Sequence, residues 1–139
     1  MVVRTLILDT IPEHREVLGS HMSLYCACSV RATPCRYAAA AFAHEFQPHL
    51  VLIGDNADRD VNPFLFAHEV LSEAKAVGVP YRPYVALLTG RKQPRPIMAL
   101  CDEFGIDACV PKPIPAEALM QIVICARRYV ESGRFACMS

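Results

Sequence analysis

Apolar residues recur in short blocks along the chain, separated by polar stretches that carry proline or glycine. "VVRTLIL", residues 2–8, is a β-rich run that stops at Asp9 and predicts a first strand. "LVLIG", 50–54, and "YVALLTG", 84–90, are apolar at nearly every position, as strands are when both faces of a parallel sheet are covered. "YCACSVRA", 25–32, and "ACV", 108–110, predict a short second strand and a brief fifth one.

The stretches between these runs have helical periodicity. "IPEHREVLGSHMS", 11–23, has Pro12 where a first helical turn tolerates it and acids early, as the helix dipole favours. Ile11, Val17, Leu18 and Met22 are its expected apolar stripe. Thr33 and Pro34 predict a cap and first turn for the alanine-rich "CRYAAAAFAHEF", 35–46. Asn62 and Pro63 repeat that signal before "FLFAHEVLSEAKAVG", which is expected to end at Gly78. "RPIMALCDEFG", 95–105, is a short helix stopped by Gly105. "PAEALMQIVICARRYVESG", 115–133, is a final amphipathic one, with Leu119, Ile122, Val123 and Ala126 on its apolar side.

Five strands alternating with five helices, with no linker and no repeat, predict right-handed βαβ crossovers and a three-layer α/β sandwich around a five-stranded parallel sheet. One domain over residues 1–133 and a tail over 134–139 are expected. In such sheets a site lies beyond the carboxyl ends of the strands. That edge gathers Asp9 and Thr10, Gly54 and Asp55, Thr89 and Gly90, and Lys112.

Composition narrows the function. Of 139 residues 53% are hydrophobic and 20% charged, which describes a compact globular chain. Fourteen basic residues balance fourteen acidic ones, so there is no electrostatic case for nucleic-acid or membrane binding. No apolar run reaches the roughly 18 residues of a spanning helix, and "MVVRTLILDT" does not read as a signal peptide. A soluble, cytoplasmic protein is expected. Seven cysteines are read as reduced thiols; Cys26 and Cys28 lack a second ligand pair at zinc spacing and are expected to point together into or out of the core.

The strand-end residues point to phosphoryl chemistry. Carboxylates would hold Mg²⁺, while a hydroxyl and an ammonium contact phosphoryl oxygens. At this point the chain resembles the response-regulator receiver domain, the flavodoxin-like (βα)5 module of two-component signalling, over about residues 3–131. "CDEFGIDACVPKPIPAEAL", 101–119, looks like the family's "GA..Y..KP....L", with Lys112–Pro113 as its Lys-Pro pair. The resemblance implies that the lysine contacts the phosphoryl group and that the Lys-Pro bond is cis. Thr89 falls at the switch Thr/Ser. "LILDTIPEHREVL" looks like the family's "ILVVDDEPEIRELL", and "FQPHLVLIGD" like "..PDLVLLDV", the strand bearing the phospho-accepting Asp.

The departures are as informative as the matches. Without gaps, Gly54 stands at the acceptor position, Thr10 replaces the second acid after Asp9, and Cys109 stands at the aromatic switch position. Glycine cannot accept a phosphoryl group, and three changes in one mechanism imply a pseudo-receiver that works by protein–protein contact. Lys112 is then expected to pair with Asp9 or Asp55, and no cofactor is expected. The alternative is a phosphorylatable receiver in which a one-residue bulge moves Asp55 into the acceptor place, with Asp9 and Asp55 as weak Mg²⁺ ligands. Failing that, Asp55 is a solvated loop acid near Asp58 and Asp60. A third class is a small-ligand binder, with Lys112 holding an anion in space vacated at Gly54.

The resemblance also implies a signalling partner, a histidine kinase or an output domain or protein, and a homodimer through the fourth helix, fifth strand and fifth helix. "RKQPRP", 91–96, and Arg127 and Arg128 are candidate partner contacts. His14, His21, His44, His49 and His68 are assigned to surface or half-buried positions without a metal role. A flavodoxin phosphate loop, GxGxxG, a P-loop and a hydrolase nucleophile elbow are all missing.

Overall fold

The structure is a computed structural model that describes residues 2–55, 62–76, 82–90 and 94–132, with side chains for all of these except 70–76 and 94–98. The segments 56–61 and 91–93, which include Asp58, Asp60 and the start of "RKQPRP", lie outside the described residues, as do Gly78 and the tail. The element order is β1 (Val3–Leu8), α1 (Pro12–Tyr25), β2 (Cys28–Thr33), α2 (Arg36–Phe46), β3 (Leu50–Asp55), α3 (Pro63–Ala76), β4 (Tyr84–Thr89), α4 (Pro94–Phe104), β5 (Ala108–Pro111) and α5 (Ala116–Glu131). The strands form one parallel sheet in the order β2-β1-β3-β4-β5, as the alternation of elements predicts. Among the described residues no helix is long and apolar enough to cross a membrane.

The two-residue period of the strands sorts the core into two layers. Leu6, Leu8, Val51, Ile53 and Leu87 face Ala39 and Ala43 of α2, Phe66 of α3 and Cys101 of α4. Val3, Ile7, Leu52, Ala86 and Leu88 face Leu18 and Met22 of α1 and Leu119, Ile122 and Val123 of α5. Phe66 and Leu87 are fully buried, and burial of a side chain of this size stabilises by roughly 1.5–3 kcal/mol. This sorting decides where the site residues point. Gly54 belongs with the even-numbered β3 residues on the α1/α5 side, and Asp55 with the odd-numbered ones on the opposite side.

Helix ends follow local chemistry. Asn62 Oδ1 accepts hydrogen bonds from Phe64 N at 3.0 Å and Leu65 N at 3.2 Å, so the expected cap on α3 forms. Gly105 takes φ 74 directly after α4, where a left-handed residue closes a helix. Thr33 does not cap α2: it ends β2, and its Oγ1 accepts from Cys35 N at 3.1 Å in a turn before the helix begins. Cys26 and Cys28 both point inward, although Cys26 caps α1 and is separated from β2 by Ala27 at φ 53. Burial pushes both thiols up, so they are inert packing groups.

Two more expectations, for Val17 and His49, need correction. Val17 is 67% exposed, because Leu18 and Met22, four residues apart, already form the line that α1 lays on the sheet. His49 is not at the surface but 5% exposed, at the start of β3. Its Nδ1 accepts from Arg4 N at 2.9 Å, while its backbone bridges Arg4 O and Tyr84 N. The sheet pairing pulls it inward.

Burial, helped by the Arg4 charge, lowers the His49 pKa from 6.5 to about 4. The unfolded chain therefore takes up a proton that the folded one refuses, so the His49 contribution to stability is complete above pH 6.5 and is lost as pH falls toward about 4. Urea unfolding at pH 7 and pH 5 is expected to show a larger fall in stability for the native chain than for His49→Gln. Equal falls would remove His49 as the cause.

Candidate functional site

The carboxyl edge of the sheet collects the residues singled out above, and it divides them into two groups. The first is built on Asp9. Its backbone N–H still donates to Thr33 O at 3.2 Å, so the chain leaves β1 in a fixed direction. Its side chain is fully buried. Oδ1 accepts from Ile11 N at 2.9 Å, turning the chain into α1, and Oδ2 accepts from Lys112 Nζ at 2.9 Å. Arg15 Nη1 donates to Asp9 O at 2.8 Å. Thr10 is half-buried in the same turn.

Lys112 reaches Asp9 because its own backbone is pinned: its N–H donates to Thr89 O at 2.7 Å, just past β5. The Lys112–Pro113 peptide bond is cis, as the resemblance implies. Lys112 Nζ also lies 2.8 Å from His14 Nδ1, and that nitrogen is 3.7 Å from Asp9 Oδ2. An ammonium has only donors, so His14 Nδ1 accepts and its ring proton sits on Nε2. His14 is half-buried, as expected, and its contact with Lys112 is the part that the sequence reading lacks. Its place in the first turn of α1, five residues after Asp9, is the only sequence signal for its role.

Gly54 lies beneath this group. A Cβ built there would press on Asp9 Oδ2 and stand 2.5 Å from the carboxyl carbon. The space an acceptor side chain would need is therefore filled by the Asp9 carboxylate. This overturns the expectation of vacated space at Gly54 in which Lys112 could hold an anion.

The second group is Asp55 with Thr89. The β3–β4 register runs unbroken from Leu50 opposite Tyr84 to Asp55 opposite Thr89, so the described strand contains no bulge. Asp55 is also not a solvated loop acid: it is 2% exposed, and its Oδ2 accepts from Thr89 Oγ1 at 3.1 Å. It faces the α2–α4 layer. Cys109 shares that side, where burial pushes its thiol up, contact with Cys101 opposes the rise, and the Asp55 charge adds to it. Burial also raises Cys101, to about 12.

No family model and no curated protein matches the chain. Among solved structures, a CheY-like response regulator receiver domain protein from Methanospirillum hungatei JF-1 matches with a TM-score of 0.78 at 15% identity, covering 96% of this chain and 100% of that one. Chemotaxis protein CheY4 of Vibrio cholerae matches with a TM-score of 0.76 at 17% identity, covering 91% and 99%. The BeF3-activated DrrB receiver domain matches with 0.72 at 16%, covering 94% and 99%. The chain thus has the flavodoxin-like fold of receiver domains, and at these identities the likeness is one of fold.

The close fit of Gly54 to Asp9 makes a testable pair. Gly54→Ala is expected to destabilise by about 1–3 kcal/mol through overpacking. The same substitution made on top of Asp9→Ala is expected to cost much less, because the crowding oxygen is gone. Equal penalties in both backgrounds, measured by urea unfolding, would show that the Asp9 carboxylate does not occupy this space.

Proposed function

We propose that the protein is a two-component-type signalling module, a receiver-like domain spanning 1–133, that acts by protein–protein contact without aspartyl phosphorylation. The observation that carries this reading is the buried Asp9 carboxylate, packed over Gly54 and paired with Lys112. Phosphoryl transfer to a carboxylate needs an acceptor, a metal ion and a cation converging on one point. At the acceptor register stands glycine. The lysine is engaged by Asp9 and His14, and Asp55 is bonded to Thr89 on the other side of the strand.

Mg²⁺ is the ion this fold would imply, and the donor set does not suit it. Mg²⁺ takes octahedral oxygen ligands and favours carboxylates. Each Asp9 oxygen already accepts a hydrogen bond, Oδ1 from Ile11 N and Oδ2 from Lys112 Nζ, and Thr10 adds no charge. Among the described residues no group of three or more His, Cys, Asp or Glu is placed to hold a metal.

The partner in this reading is a signalling protein, a histidine kinase or an output domain, and the module works in the cytoplasm as a binding protein and not an enzyme. The face made by α4, β5 and α5 is the proposed surface for a second copy. Support for the signalling role comes from the neighbours, whose names describe response regulators and receiver domains.

The rival reading keeps Asp55 as acceptor, and its support is that the carboxylate is bonded to the Thr89 hydroxyl. Incubation with Mg²⁺ and acetyl phosphate, followed by intact-mass spectrometry, separates the two. No phosphorylated species is expected, and Asp55→Asn is expected to behave as the native chain. A Mg²⁺-dependent phosphorylated species that vanishes in Asp55→Asn would establish the rival.

A further inference from the structure

Beside the Asp9–Lys112–His14 group lies a cavity of about 520 Å³. Its walls come from α1 on one side and from the Lys112–Pro113 turn and α5 on the other. This volume falls within the roughly 300–1,000 Å³ of small-molecule sites. Val17, Leu18, Ile114 and Leu119 make it mainly apolar. Val17, 67% exposed, is a large apolar side chain that the fold leaves uncovered at this cavity.

The polar groups decide what would fit. Lys112 is part of the lining, but its charge is matched by Asp9 at 2.9 Å. Glu13, exposed in the first turn of α1, adds a carboxylate to the same lining. An anion entering here would meet Glu13 without an unmatched lysine to receive it. His14, also in the lining, has its Nδ1 committed to Lys112, which fixes its proton on Nε2. The cavity therefore offers an N–H donor and a carboxylate acceptor on adjacent residues, together with the buried His21 Nε2, which has no hydrogen-bond partner among the described residues, beside an apolar bed.

We propose that this cavity is a binding site for a small, uncharged, largely apolar molecule ending in an amide or hydroxyl group. Such a group accepts from His14 Nε2–H and donates to the Glu13 carboxylate, while the apolar body covers Val17, Leu18, Ile114 and Leu119. A ligand seated there touches both α1 and the turn that carries Lys112, so it bears directly on the Asp9–Lys112–His14 group. The inference does not depend on whether the domain is phosphorylated.

The test uses a matched pair of probes, 4-phenylbutanamide and 4-phenylbutanoate, titrated into the full chain and followed by methyl and amide NMR. The amide is expected to give saturable shifts concentrated on Leu18, Ile114 and Leu119, with the carboxylate at least about tenfold weaker, a difference of about 1.4 kcal/mol. Val17→Trp fills the cavity from its exposed wall and is expected to abolish the shifts while leaving the rest of the spectrum in place. Shifts that persist in Val17→Trp, fail to saturate, or are as strong with the carboxylate would overturn the proposal. So would shifts of the same methyls on raising the protein concentration alone, which would assign the cavity to a second copy of the chain.

Discussion

A carboxylate taken fully out of water needs a cation and hydrogen bonds, and the carboxyl edge of this sheet is arranged around meeting that need for Asp9. Lys112 supplies the charge at 2.9 Å and Ile11 N–H a second bond. Removing one member of such a pair costs about 3–5 kcal/mol, because the other is left uncompensated. The pair joins three parts of the chain: the end of β1, the first turn of α1 and the turn after β5. His14 extends it by accepting from the same ammonium. The absence of a side chain at position 54 is a condition of this arrangement, since even a methyl group there would press on the Asp9 carboxylate.

The alternation of strand residues does the rest. Gly54 and Asp55 are neighbours in sequence but face opposite helical layers, so the acid nearest the acceptor register is directed to Thr89 and the Cys109 side. In the proposed reading, the parts that a phosphorylation site would bring to one point are held in two separately bonded groups. Low-dielectric surroundings strengthen both groups, which makes exchange between them unfavourable. A module built this way would signal through its surface and not through a change at the sheet edge.

Much of this was legible in the chain, for identifiable reasons. The buried strands "LVLIG" and "YVALLTG" are long apolar runs, and Asn62–Pro63 is a cap whose chemistry is local, so both read directly. Asp9 and Lys112 were recognisable because strand ends in a parallel sheet converge whatever lies between them. Other features depend on packing partners far along the chain. His49 looks like a polar residue before a strand, and only the bond from Arg4 N explains its burial. His14 resembles any helical histidine until the position of Lys112 is known. The direction of Asp55 follows from the two-residue period, but a bulge would reverse it, and local sequence does not exclude a bulge. The pairing with β4 does.

Lys112 is held by Asp9 over Gly54, and its side-chain ammonium reports this directly by ¹⁵N NMR. A hydrogen-bonded, slowly exchanging Nζ resonance is expected, displaced by Asp9→Asn and indifferent to Asp55→Asn and to Mg²⁺. A resonance that ignores Asp9→Asn but moves with Asp55→Asn would place the lysine on the other acid and contradict the account.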